Sequence, residues 1–202
     1  MKHLVLPFLL SCIACDAATT IIDSTGLTPV NQANFATGTV GNLSTGAAWT
    51  FTTGTLGTDN LLASIGLEGR QANQSANILT LELWSDTDND SGTLGGTLIA
   101  TSTNSTALTL NTTSLFNFSG VTLAENTVYT VHVVGTSPGF GLVGTAATDI
   151  LPNSVLFQNG AFTFGGSATN GIDVSFNVNT IPEPAATMLG AVGMLLLLRR
   201  RR

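Results

Sequence analysis

Runs of alternating apolar and polar residues fill the middle of the chain. Residues 172–179 alternate one by one, and the same period of two returns in residues 61–67 and 79–84. A period of two places the apolar side chains on one face of a β-strand, whereas a helix would repeat them every three or four residues. Residues 47–53 and 128–134 are rich in β-branched and aromatic side chains, which also favour strands. The pattern predicts strands in all of these segments, and half-buried strands where the alternation is strict.

Shorter apolar runs predict weaker strands around Leu98, residues 116–118, Leu142, Leu156 and residues 162–164. Glycine, asparagine and aspartate separate the runs at short intervals, which is typical of turns. Many short strands joined by turns indicate an all-β fold. We therefore expect a single β-sandwich domain, jelly-roll-like, over residues 18–180.

Residues 181–202 follow a different pattern. Pro182, Glu183 and Pro184 precede an apolar run over residues 185–198, and four arginines follow it: Arg199, Arg200, Arg201 and Arg202. A helix of that length spans about 21 Å, which is short for a hydrocarbon core of about 30 Å. Arginines are retained on the cytoplasmic side of a membrane. We predict a single transmembrane sorting helix that leaves the body of the protein outside.

This order of parts resembles the PEP-CTERM signal of exported proteins in Gram-negative bacteria. The resemblance covers residues 181–202 and rests on the Pro182-Glu183-Pro184 motif, the apolar run and the basic end. It implies recognition by an exosortase, a membrane protease or transpeptidase that removes or replaces the tail. Cleavage and retention of the tail both remain open.

The N-terminal residues have the composition of an export signal. A basic start, residues 1–3, precedes an apolar stretch over residues 4–10, and small residues allow signal peptidase to cut after Ala17. Lipidation at Cys12 is the alternative. Cys12 and Cys15 are the two cysteines of the sequence. A mature chain cut after Ala17 therefore has neither a disulfide nor a catalytic thiol, although export places it where disulfides form.

The charge of the body excludes one class of partner. The sequence has twelve acidic residues, and Asp16 and Glu183 lie outside residues 18–180, which leaves ten against a single basic residue, Arg70. Nucleic-acid binding requires several cationic side chains that neutralise phosphates. We expect no nucleic-acid partner. The acidic excess suits cations or neutral sugars better.

A second resemblance concerns residues 47–135. Trp49-Thr50-Phe51, residues 79–86, residues 92–98 and residues 123–129 follow one another as in the choice-of-anchor domains, especially the R type. Those domains occur beside varied C-terminal anchors, including PEP-CTERM, and offer no catalytic residues to transfer. Where that family often has a Tyr-Trp pair, this chain has Tyr129-Thr130.

Three aspartates have the spacing of a calcium-binding loop. Asp86, Asp88 and Asp90 alternate as the first three ligands of such a loop do. Ser91 stands where the loop usually has glycine, and Thr97 where it usually has a bidentate glutamate. The alternative is a solvated acidic hairpin loop. Calcium is the one cofactor that the sequence suggests.

Other polar and aromatic residues allow two readings each. Trp84 is suited to stacking on a sugar ring, or it packs in the core. Glu68 and Glu82 could form the carboxylate pair of a glycoside hydrolase, although each occupies the polar position of an alternating strand. His132 is expected on the strand face opposite Val131 and Val133, as a satisfied or solvated side chain more readily than a catalytic base.

Taken together, these patterns indicate an exported, non-enzymatic protein of the cell envelope or extracellular matrix. The domains are a signal peptide (1–17), a β-sandwich (18–180) and a sorting signal (181–202). Signal peptidase, an exosortase and the membrane are the expected partners, with exopolysaccharide as a further one. The alternatives are a carbohydrate-binding module of an exopolysaccharide matrix and a glycoside hydrolase.

Overall fold

A computed structural model describes residues 18–25, 29–35, 37–69, 78–85, 96–135, 140–145, 156–158, 161–162 and 174–182. Within these residues the chain forms strands and turns, without a helix. The strands are β1 (Thr19–Asp23), β2 (Pro29–Phe35), β3 (Ala47–Thr52), β4 (Leu61–Glu68), β5 (Leu79–Ser85), β6 (Leu98–Thr101), β7 (Thr113–Asn117), β8 (Val128–Gly135), β9 (Phe140–Thr145), β10 (Leu156–Gln158), β11 (Ala161–Phe162) and β12 (Phe176–Ile181). The all-β prediction is confirmed for this part of the chain.

The strands assemble into antiparallel sheets. A four-stranded sheet has the order β1-β12-β4-β7, and a six-stranded sheet has the order β11-β10-β3-β8-β5-β6. The strands β2 and β9 pair separately. The strands predicted over residues 47–53, 61–67, 79–84, 128–134 and 172–179 correspond to β3, β4, β5, β8 and β12. The strands β1 and β2 were not predicted, because their short sequences lack a clear alternation.

The two larger sheets share one hydrophobic core. Phe176 of β12 lies 5.5 Å from Trp49 and 6.0 Å from Phe51, measured between ring centroids, so aromatic rings of both sheets meet in the centre. Phe176 and Val178 are buried while Asn177 and Asn179 are half-buried, as the alternation predicts. Trp49 and Phe51 share the core face, as alternate residues of one strand do.

Part of the outer face of the six-stranded sheet is also covered. Residues 37–46, which we call the cap segment, cross this face, and the Gly38 amide donates to the carbonyl of Val133 at 2.8 Å. Leu43 of the cap packs in a small cluster with Ala48 and Trp84. The strand β8 is consequently buried on both faces between its ends. The predicted strand over residues 128–134 is confirmed, and the cap segment explains why its outer face is buried as well.

No helix formed by the described residues is long and apolar enough to cross a membrane. The predicted signal peptide (1–17), Glu183, Pro184 and residues 185–202 lie outside the described residues.

Candidate functional site

The most concentrated polar chemistry in the described structure lies beneath the cap segment. Glu82 of β5 and His132 of β8 are direct partners across two neighbouring strands. Both side chains are 0% exposed, and His132 Nδ1 lies 3.0 Å from Glu82 Oε2. The period of two places them opposite the core face, which confirms the predicted orientation of His132. Strand pairing therefore creates a buried acid–base pair from residues fifty positions apart.

Every polar atom of this pair has a partner. His132 Nε2 lies 2.7 Å from the carbonyl oxygen of Thr45, and since a carbonyl only accepts, Nε2 carries a hydrogen. The Trp84 indole donates to Glu82 Oε2 at 3.2 Å, and the Gly41 amide donates to Oε1 at 2.8 Å. The remaining hydrogen bond of the pair joins His132 Nδ1 and Glu82 Oε2. The network, formed by Glu82, His132, Trp84 and the cap segment, fastens the cap to the sheet.

Glu68 and Glu82 do not meet. Glu68 lies at the end of β4 in the four-stranded sheet, where its Oε2 accepts from the Ser175 hydroxyl at 2.8 Å. Leu67 and Leu81, their neighbours in sequence, both belong to the shared core. By alternation the two carboxylates point to the outer faces of different sheets. They do not form the carboxylate pair that glycoside hydrolysis requires.

Trp84 packs beneath the cap. It is 8% exposed, belongs to the cluster with Leu43 and Ala48, and donates its indole hydrogen to Glu82. Stacking on a sugar requires an exposed ring face, and the described structure buries this one. The geometry of Trp84 therefore matches packing in the protein interior and not stacking on a sugar ring.

The structure does not describe the three aspartates of the candidate calcium loop. Asp86, Asp88 and Asp90 lie outside the described residues. In the part of the chain that the structure describes, no three His, Cys, Asp or Glu side chains gather as a metal site would require.

A polar ladder runs across the outer face of the four-stranded sheet. Asn179 Nδ2 donates to Ser64 Oγ at 3.1 Å and to Asn177 Oδ1 at 3.0 Å, and Thr20 Oγ1 donates to Asn179 Oδ1 at 2.7 Å. The Gly66 amide donates to Asn177 Oδ1 at 3.1 Å. A Cβ at Gly66 would collide with the Asn177 side chain, so glycine is needed for this close approach. The Asn177 and Asn179 amides are thus held in fixed orientations.

The two ends of the described body lie side by side. Thr19 of β1 pairs with Thr180 of β12, and Pro182 follows β12 directly after Ile181. Pro182 is half-buried. The first residue of the predicted sorting motif therefore emerges from the sheet beside the N-terminal strand. The sequence shows the motif, but its position beside β1 depends on a strand register that local pattern does not specify.

Glu125 organises a loop near the same end of the body. Its Oε1 accepts from the amides of Leu56 and Gly57, each at 2.9 Å. The hydrogen bond from Gly57, followed by the one from Leu56, lowers the pKa of the Glu125 carboxyl below its ordinary value of 4.5. Gly57 has a φ of +60°, a conformation that glycine adopts without strain.

The chain was compared with models of protein families, with curated proteins and with solved structures, and none of them matches it.

Proposed function

We propose that the chain is an exported, non-enzymatic protein of the cell envelope or extracellular matrix, sorted by an exosortase that reads Pro182-Glu183-Pro184. The observation that carries the proposal is the three-part order of motif, apolar run and arginines in residues 182–202. The end of β12 at Ile181 agrees with it, because this strand ends directly before the motif begins. Before processing, the tail holds the protein in the membrane with the body outside.

The chemistry of the body favours a structural or binding role. His132 and Glu82 are fully buried and both are bonded to the cap segment, so neither reaches a substrate unless the cap opens. A general base needs access to the proton that it removes. We further propose that the two sheets form a β-sandwich of jelly-roll type, which is supported by the core that they share.

The experiment compares the surface protein of cells with and without their exosortase. Intact mass determines whether the tail is removed or replaced at or near Pro182. Replacing Glu183→Ala should leave an unprocessed form held in the membrane, whereas Thr187→Ala, a control within the apolar run, should be processed normally. Identical full-length tails in both cell types would contradict the proposal and leave the apolar run as a simple anchor.

Binding of a neutral exopolysaccharide is the second candidate function. The polar ladder favours it, because fixed amides and hydroxyls can exchange hydrogen bonds with sugar hydroxyls without a charge. In affinity electrophoresis with the exopolysaccharide of the producing cells, the double change Asn177→Ala and Asn179→Ala should abolish retardation. The exposed change Thr101→Ala, on the other sheet, is the control. Equal retardation of all three proteins would exclude the ladder as the binding face.

Calcium binding by Asp86, Asp88 and Asp90 stays a prediction. A ligand that binds only the folded state raises the melting temperature by mass action. Millimolar calcium should therefore raise the melting temperature of the wild type but not that of Asp88→Ala. An unchanged melting temperature of the wild type would favour the solvated acidic loop.

A further inference from the structure

The last strand of the body runs into the sorting motif without intervening residues. The strand β12 lies between β1 and β4, where Thr180 pairs with Thr19 on one side and Ile181 pairs with Leu61 on the other. The Thr180 side chain is 0% exposed. A protease that reads Pro182 must therefore approach within one residue of a paired strand, a distance of about 3.3 Å along the chain.

Several hydrogen bonds join the loops around this point. Thr19 Oγ1 donates to Asp59 Oδ2 at 2.9 Å, which ties β1 to the loop before β4. The Leu123 amide donates to the Asn60 carbonyl at 2.7 Å, which adds the segment that precedes β8. We call the result the sheet-end surface. It consists of Thr19, Thr58, Asp59, Asn60 and Thr122, of which the three threonines are exposed.

The motif itself offers few contacts to an enzyme that recognises it. Two of its three residues are prolines, which lack an amide hydrogen, so the motif cannot add to an enzyme as an ordinary β-strand. Glu183 supplies its one charged side chain. The fixed φ of Pro182 also limits rotation between β12 and the motif. An enzyme that holds the motif consequently meets the end of the body in a restricted set of orientations.

We propose that the membrane-embedded protease that reads Pro182-Glu183-Pro184 also docks on the sheet-end surface. This inference rests on the proposed function and adds a second recognition element to it. Asp59 gives the surface an acidic character, and the surface fits a neutral or basic face of the enzyme. Because β1 forms part of it through Thr19, the enzyme recognises a body in which the four-stranded sheet is complete. Processing of the tail then follows folding.

The test changes the spacing and leaves the motif intact. In the full chain, a six-residue Gly-Ser insertion between Ile181 and Pro182 should lower the processed fraction by about tenfold, which corresponds to a loss of about 1.4 kcal/mol of binding free energy. The same insertion after Asn111 is the control, because that turn lies at the other end of β4, where Gly69 is bridged to Leu110. The control should be processed like the wild type.

A second variant changes the sheet-end surface and leaves the spacing between β12 and the motif unchanged. Thr58→Arg places a cation on the sheet-end surface and should lower processing, whereas Thr101→Arg, on β6, should not. If the insertion after Ile181 and Thr58→Arg are both processed normally while Glu183→Ala is not, the motif is read alone and the docking inference is overturned. If Glu183→Ala is also processed normally, the proposed sorting function itself fails. Equal melting temperatures of all variants show that the fold is intact.

Discussion

At the scale of single residues, Glu82 and His132 form a fully buried pair that links β5 to β8. A pair of polar side chains buried away from water is stable only when all of its hydrogen-bond groups find partners. The Trp84 indole, the Gly41 amide and the Thr45 carbonyl supply those partners. Because Gly41 and Thr45 belong to the cap segment, the buried pair attaches the cap to the sheet.

Removing one member of the pair should destabilise the protein strongly. We expect Glu82→Ala to lower the free energy of unfolding by about 3–5 kcal/mol, because His132 and the Trp84 indole lose their acceptor in a buried place. Urea unfolding of the body, residues 18–182, measures it. The control is Glu68→Ala, since Glu68 is only half-buried. Equal losses in both variants would show that burial of the pair has no special role.

Glu125 should make stability depend on pH. Its pKa is lowered in the folded state, so its contribution is present above the unfolded pKa of about 4.5 and is lost as the pH falls through the folded pKa. Glu125→Gln should therefore lower the melting temperature at pH 7. The difference from the wild type should shrink as the pH falls below 4.5. A difference that stays constant from pH 7 to strongly acid solution would contradict the assignment.

At the scale of elements, the cap segment depends on glycines that let it approach the sheet. A Cβ at Gly38 would collide with His132 Nε2, and a Cβ at Gly46 would collide with the backbone of Gly38. Gly46 also has a φ of +72°, which side-chain-bearing residues rarely adopt. Close contact between backbone and sheet is what allows Thr45 to reach the histidine.

A methyl group at Gly38 should lift the cap. We expect Gly38→Ala to lower the free energy of unfolding by about 1–3 kcal/mol, the usual cost of overpacking. Hydrogen exchange at the Gly41 amide should accelerate, because its bond to Glu82 depends on the position of the cap. Gly54→Ala is the control, since a Cβ there meets nothing within 4 Å. Unchanged exchange at Gly41 in Gly38→Ala would contradict the close approach.

At the scale of the whole molecule, the pairing of β1 with β12 brings both ends of the body together. Thr19 and Thr180 are separated by 161 positions in the chain, yet they are direct partners. Ala18, which precedes β1, and Pro182, which follows β12, therefore lie at the same end of the four-stranded sheet. In the proposed function, the export signal and the sorting signal would both be attached at this end of the body.

An engineered disulfide tests whether Thr19 and Thr180 are direct partners. Directly opposed residues of antiparallel strands have Cα atoms about 4.5–5.5 Å apart, within the range of about 4.4–6.8 Å that disulfides require. Thr19→Cys with Thr180→Cys, in a chain that starts at Ala18, should oxidise to one intramolecular disulfide and gain about 2–4 kcal/mol of stability. Thr19→Cys with Asn177→Cys is the control, because Asn177 pairs with Asp23 instead. Mass spectrometry under non-reducing conditions detects both. Preferred closure of the control pair would refute the register.

The sequence alone determined most of the strands and, in β3, β8 and β12, the faces of their side chains. Alternation with a period of two is local, so Trp49, Phe51 and Phe176 could be assigned to the core and His132 to the opposite face before any strand was paired. The sorting motif is equally local, since its residues are contiguous. The edge strand β1 was not predicted, because its mostly exposed residues show no alternation of apolar and polar side chains.

Only the tertiary structure decided which of these residues meet. Glu82 joined His132 and not Glu68, because β5 pairs with β8 while β4 belongs to the other sheet. Trp84 is buried because the cap segment, more than thirty positions away, covers it. Pro182 emerges beside Thr19 because of a register between the first and last strands. Each of these outcomes depends on pairing between distant segments, and such pairing is selected by the packing of the whole core, which no local pattern contains.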